Sequence, residues 1–145
     1  MNCYIFDIDG TLANGLHRTH HLEKRPKDWD AFFAEQNKDG LYVHVANVAR
    51  ALHRGGHRIV ICTGRPENYR EVTMNWLHLR AVPYEALYMR PAGDFRDDDI
   101  IKIEMLARIR ADGYVPVMVF DDRDRVVRAW RAAGIPCAQV AEGDF

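Results

Sequence analysis

A chain of 145 residues that is 48% hydrophobic and 28% charged has an ordinary soluble composition and enough length to bury most of a normal core. Its formal net charge of −1 gives no global field for duplex nucleic acid or an anionic membrane, so any nucleic-acid contact has to be local. No run of about 18 apolar residues can span a membrane, and the N-terminus runs straight into a strand without a secretory-signal pattern, so the expected location is the cytoplasm.

The first predicted element is the strand Cys3–Phe6, which runs into Asp7, Ile8, Asp9 and then Gly10-Thr11, a turn signal. Asp7 therefore sits at the carboxyl end of a buried strand, where open α/β sheets bind their ligands. Side chains alternate along a strand, so Asp7 and Asp9 would share a face, and Gly10 lets the backbone turn sharply around what they hold. Two carboxylates at one point call for a cation, a shared proton, or a division into nucleophile and acid/base. A calcium loop would need further oxygen ligands and a Glu, which Thr11, Leu12 and Ala13 do not supply.

Residues 13–40 are too long and polar for an ordinary connection between strand and helix, which predicts a functional insert acting as a small cap. Asp28 caps a helix Trp29–Gln36 with Trp29, Phe32 and Phe33 on its apolar side. His17, His20 and His21, among four basic residues and one acid, read as a solvated basic face, because no carboxylate or cysteine completes a metal set. A helix over 41–53 follows, with Val45, Val48, Ala49 and Leu52 as its stripe, then the strand Arg58–Cys62, so the order βαβ implies a parallel sheet. Thr63-Gly64-Arg65 ends that strand, and with Pro66 opening the next helix it forms a candidate phosphate site. The helix 67–79 is expected to pack through Val72, Trp76 and Leu79, and a strand over 82–89 ends in Arg90-Pro91.

A helix from Asp99 to about Arg110 is expected to bury Ile100, Ile103, Leu106 and Ala107 or Ile109. Lys102 lies in its first turn, where the helix dipole disfavours a cation, so a nearby anion is expected. The strand Val115–Phe120 is the most hydrophobic of the chain and ends in a second acidic pair, Asp121-Asp122. The helix 123–132 turns Val126, Val127 and Trp130 inward, and 136–140 forms a last strand. Cys3, Cys62 and Cys137 are odd in number and widely spaced in apolar runs, the usage of buried thiols.

The motif DIDGTL resembles the first signature of the haloacid dehalogenase superfamily of phosphotransferases. Its companions appear in order as Thr63, Lys102 and Asp121-Asp122, so the resemblance covers the chain from Cys3 to its end. It implies a three-layer, Rossmann-like α/β fold with a parallel sheet and a small helical cap over about 13–40, in a single domain of residues 1–145. Asp7, Asp121 and the backbone carbonyl of Asp9, with Asp122 helping directly or through water, would provide a Mg²⁺ site with room for a phosphate oxygen. Asp7 would be the nucleophile and Asp9 the acid/base, while Thr63 and Lys102 would hold the phosphoryl oxygens.

The runs Met89–Lys102 and Phe120–Phe145 resemble the 3′-phosphatase domain of phage-type polynucleotide kinase-phosphatases. That resemblance makes Arg18, Gly64, Arg65 and Arg90 candidate substrate contacts and gives Asp98 a part in positioning the lysine region. No G-x-x-x-x-G-K-[ST] is present, so the 5′-kinase half is missing and a separate kinase or ligase becomes a possible partner. The expected function is a Mg²⁺-dependent phosphomonoesterase of 3′-phosphorylated DNA or RNA ends. The alternatives are a phosphatase of free nucleotides or other small phosphomonoesters, and a catalytically inactive binding module.

Overall fold

A computed structural model describes residues 1–145. In chain order its elements are β1 (Asn2–Phe6), β2 (Ala13–Asn14), α1 (His20–Glu23), α2 (Trp29–Ala34), β3 (Gly40–Leu41), α3 (Val43–Arg54), β4 (Arg58–Pro66), α4 (Arg70–Leu79), β5 (Ala86–Arg90), α5 (Asp98–Ala111), β6 (Val115–Asp121), α6 (Asp124–Ala132) and β7 (Cys137–Gln139). Five strands form one parallel sheet in the order β5-β4-β1-β6-β7. Strand alternation sends Cys3, Ile5, Val60 and Cys62 to one face and Phe6, Ile59 and Ile61 to the other. Helices α5 and α6 cover the first face with Met105, Ile109, Val127 and Trp130, and α3 and α4 cover the second with Val45, Ala49 and Trp76. A sheet apolar on both faces needs helices on both, which is why its strands read as continuous apolar runs.

The chain leaves β1 toward β4 and β5 on one side, then crosses to β6 and β7 on the other. Asp7 and Asp121-Asp122 thus stand at the carboxyl ends of β1 and β6, at the point where the winding reverses. Residues 13–40 form an excursion closed at its base by β2 and β3, which pair antiparallel with Ala13 opposite Leu41 and Asn14 opposite Gly40. No helix is long and apolar enough to cross a membrane.

Several local expectations are corrected. In α3 the buried residues are Val45, Ala46 and Ala49, while Val48 is exposed. In α4 Thr73, Trp76 and Leu77 face inward, Leu79 is exposed at the helix end, and residues 67–69 are a separate 3-10 turn. β4 continues through Pro66 with an irregular register after Thr63, so the Thr63-Gly64-Arg65 segment is an extended bulge and not a turn into a helix. β5 starts only at Ala86, because Val82 instead closes the end of α4 with its N–H on the Leu77 carbonyl.

The helix α5 is turned relative to expectation. Ile101, Lys102, Met105, Leu106 and Ile109 are buried, and Ile100 is exposed. Leu106 and Ile109 are buried as expected and Ile103 packs partly against the core, but the stripe runs through Ile101, Lys102 and Met105 in place of Ile100. Apolar residues alone could not show that rotation, because a buried lysine lies on the stripe. The histidine segment is also only partly solvated: His21 is buried, and His17 bonds Asp39 through Nε2 at 2.8 Å. In β6, Val115 and Val117 are exposed because β7 pairs only with Val119–Asp121.

Candidate active site

Asp7, Asp121 and Asp122 are buried, and each offers a carboxylate oxygen within 4.8 Å of the others. Lys102 Nζ donates to Asp7 Oδ1 at 2.9 Å, to Asp121 Oδ2 at 3.2 Å and to the Cys62 carbonyl at 2.8 Å, which uses all three of its hydrogens. Thr11 Oγ1 donates to Asp7 Oδ2 at 3.0 Å, so both oxygens of Asp7 are held. Asp121 Oδ1 accepts the Asp122 N–H and its Oδ2 accepts Trp130 Nε1–H, which fixes that carboxylate from α6. Gly10 has φ +81°, and a Cβ there would lie 2.1 Å from Asp122 Oδ2, so glycine is needed for both conformation and space.

Burial and then the neighbouring Asp121 push the Asp7 carboxyl well above its ordinary value, with Lys102 opposing. Burial and Asp121 likewise push Asp122 up to about 6. Burial alone would favour a neutral Lys102, but Asp121 and Asp7 hold it charged. Three carboxylates thus face one ammonium, which leaves two negative charges uncompensated at full ionisation, a match for one divalent cation.

Asp9 does not join this cluster. Its carboxylate accepts a two-pronged bond from Arg65, Nη2 to Oδ1 at 2.7 Å and Nε to Oδ2 at 3.0 Å, and a third from Arg18 Nη2 at 2.7 Å. Burial would raise its pKa, but the guanidinium of Arg65 and then that of Arg18 overcome this and hold it at about 2. Behind the arginines stands Asp39, fully buried, accepting from Arg18 Nε and Nη2, Arg65 Nη2 and His17 Nε2. Gln36 accepts Arg65 Nη1 and the Thr73 hydroxyl, so the insert and the sheet edge share one closed ionic network.

A cavity of about 590 Å³ opens over these residues, lined by Asp7, Asp9, Lys102, Asp121, Asp122, Gly64, Arg65 and Arg90 on the sheet side and by Trp29, Phe32 and Phe33 of α2 on the other. Arg18 and Thr63 do not line it. Arg18 is fully buried against Asp9 and Asp39, and Thr63 accepts the Arg65 N–H through Oγ1 from just behind the wall. Arg90 lines it with its guanidinium tied to the Gly64 carbonyl, to Asp98 and to the loop that follows β5. A Cβ on Gly64 would lie 2.4 Å from Asp98 Oδ1, so a side chain there would have to displace the Asp98 carboxylate that Arg90 holds.

The sequence reading did not find Thr11, Gln36 or Asp39. A signal existed for Asp39: two arginines assigned near the site required a second anion.

An aspartate at the end of the central strand, a lysine reaching it from a helix and an acidic pair on the next strand define a phosphatase of the haloacid dehalogenase fold class. Residues 1–145 match the family described as the polynucleotide kinase PNKP phosphatase domain, and the chain belongs to that family. It is 31% identical to a putative bifunctional polynucleotide kinase/RNA ligase of Autographa californica nuclear polyhedrosis virus, with 90% of this chain and 18% of that protein covered. Among solved structures it is similar to a chain of the Pnkp1/Rnl/Hen1 complex, at TM-score 0.86 and 32% identity, covering 99% of this chain and 47% of that one. A second structure, of the Pnkp1/Rnl/Hen1 RNA repair complex, gives TM-score 0.87 and 32% identity, covering 99% and 43%. The chain spans less than half the length of each of these relatives.

Proposed function

We propose that the chain, as one phosphatase unit with a cap insert over 13–40, is a Mg²⁺-dependent phosphomonoesterase that removes 3′-phosphates from DNA or RNA ends. The observation that carries this reading is the buried trio Asp7, Asp121 and Asp122 with Lys102 as their only side-chain cation, at the sheet edge of a polynucleotide kinase phosphatase family member. The donor set fits Mg²⁺: all hard oxygens, two unbalanced negative charges at full ionisation, and carboxyls that burial and mutual repulsion push above their ordinary values. Asp7, Asp121 and Asp122 would hold the ion, with the main-chain carbonyl of Asp9, whose carboxylate is turned to the arginines. When bound it would supply charge compensation to the phosphoryl oxygens.

In this reading an oxygen of Asp7 attacks phosphorus, the bond to the leaving 3′-oxygen breaks, and that oxygen takes a proton from Asp9. This requires the Asp9 carboxylate to leave its pairing with Arg65 and Arg18 and take up a proton when substrate binds. Asp9 then takes a proton from water as the water attacks the aspartyl-phosphate, which releases phosphate and restores Asp7. Lys102 restrains Asp7 and offers the phosphoryl oxygens its charge, its hydrogens being held by Asp7, Asp121 and Cys62; Thr63 supports the cavity wall by accepting the Arg65 N–H. The placements of Arg18 and Arg65 favour a part in aiming Asp9, with Arg90 shaping the wall through Gly64 and Asp98. The names of the similar proteins suggest RNA ends as substrate and a kinase and ligase as partners. The near-neutral charge and a cavity of nucleotide size favour a second reading, a phosphatase of free nucleotides.

The test is kcat/KM for a 3′-phosphorylated oligonucleotide, its 5′-phosphorylated counterpart and a 3′-mononucleotide. The reading requires the first to be best, with a shallow salt dependence because few phosphates are contacted. A tenfold preference for either of the others would replace it.

A further inference from the structure

The cavity has a second half that phosphoryl chemistry does not use. Trp29 lines it from α2 and Phe95 from the loop between β5 and α5, and both rings are strongly exposed, at 42% and 86%. Neither is a loose surface residue. Trp29 is the outer ring of a column in which it stacks on Phe33 at 5.8 Å and Phe33 leans on Tyr69 at 5.3 Å. Phe95 is held from both sides: Arg90 Nη1 donates to the carbonyls of Asp94 and Arg96, and Asp94 Oδ1 accepts the Arg96 N–H across it. The same guanidinium holds Gly64 and Asp98, so the loop that displays Phe95 is tied to the wall of the phosphoryl site.

We propose that Trp29 and Phe95 form a stacking site for the nucleobase of the nucleotide that carries the scissile phosphate. This rests on the polynucleotide 3′-phosphatase reading and extends it. Two exposed aromatic planes lining one cavity with a phosphoryl site match a ligand that joins a flat π-face to a phosphate. Every base has such a face, so the site would accept any sequence. Lys27 strengthens the choice of a nucleic acid over an apolar partner: it lines the cavity with Nζ 5.8 Å from the centre of the Trp29 ring, where it can meet the next phosphodiester. Base stacking outweighs an exposed cation–π contact, so the base displaces Lys27 from that ring face.

The experiment measures kcat/KM for wild type, Phe95→Ala and Trp29→Ala on two 3′-phosphorylated oligonucleotides, one natural and one with an abasic terminal residue, and on a base-free alkyl phosphomonoester. Each variant is expected to lose roughly five- to hundredfold on the natural oligonucleotide, mostly in KM, and to keep the wild-type rate on the base-free ester. Wild type on the abasic end is expected to show a similar loss, and the variants to lose little more on it, because both changes remove the same contact. Equal wild-type rates on natural and abasic ends would overturn the stacking site and leave the 3′-phosphatase reading standing. A wild type that prefers the base-free ester would overturn both. Losses in the variants that are equal on natural and abasic ends would show the rings binding something other than the base, and would also overturn the proposal.

Discussion

At the scale of single residues, the active-site cluster is arranged for charge that the protein alone does not balance. Asp7→Asn removes the proposed nucleophile and one of three mutually repelling carboxylates, so turnover is expected to vanish while Tm in EDTA is unchanged or higher. A fall in Tm of that variant would mean that Asp7 is needed for packing as well as chemistry. Lys102→Met has the opposite sign. It leaves buried carboxylates without their cation, and removing one partner of a buried pair costs about 3–5 kcal/mol, so chemical denaturation at pH 7 without metal is expected to show a loss of that order. Asp9→Asn is expected to lower the rate on an alkyl phosphate by roughly 10² to 10⁴-fold and on an activated aryl phosphate by much less, since a good leaving group needs no proton. Equal losses on both would rule out the acid role.

At the scale of elements, the insert is fixed to the sheet edge by polar contacts more than by apolar ones. The Asp39 carboxylate holds Arg18, Arg65 and His17, and its carbonyl accepts Trp76 Nε1–H and Arg80 Nη2–H from α4 and the residue after it. In contrast, Asp28 only caps α2 by accepting the Ala31 N–H. Asp39→Ala leaves two buried guanidinium groups with Asp9 as their only carboxylate and is expected to destabilise by about 3–5 kcal/mol, against about 1 kcal/mol for Asp28→Ala. Limited proteolysis would separate the two: cleavage within 13–40 is expected to accelerate strongly only for Asp39→Ala. The same contacts explain why α2 holds its aromatic side over the cavity while remaining a helix of only six residues.

At the scale of the whole molecule, metal and pH act on one equilibrium. In the metal-free fold Asp122 is pushed up to about 6 and Asp7 is raised as well, against an unfolded value near about 3.9. The folded state therefore binds more protons than the unfolded chain across that window, so this cluster's contribution to stability falls as pH rises from about 4 through about 6 and above. In the proposed function Mg²⁺ binds the ionised form, which would offset that loss. The rise in Tm caused by Mg²⁺ is accordingly expected to be larger at pH 8 than at pH 5, which thermal melts with Mg²⁺ or EDTA would check. An equal rise at both values would argue against the carboxylate trio as the metal site.

The parallel α/β sheet, the approximate position of every strand of the main sheet and of each long helix, and the convergence of Asp7, Lys102 and Asp121-Asp122 on one sheet edge were legible in the sequence, whereas the β2–β3 pair at the base of the insert was not. Strands buried on both faces are continuous apolar runs, and charges that interrupt such runs at strand ends are conspicuous. The rotation of α5 was not legible, because its core stripe contains Lys102, buried only through contacts with residues 7, 62 and 121. The orientation of Asp9 was likewise a tertiary outcome. Alternation along a strand places it beside Asp7, but the chain leaves β1 after Phe6, and Arg18 and Arg65, backed by Asp39, take the carboxylate instead. Ion pairs between residues 9, 18, 39 and 65 have no period and no preferred spacing, so only the folded arrangement decides which charges meet.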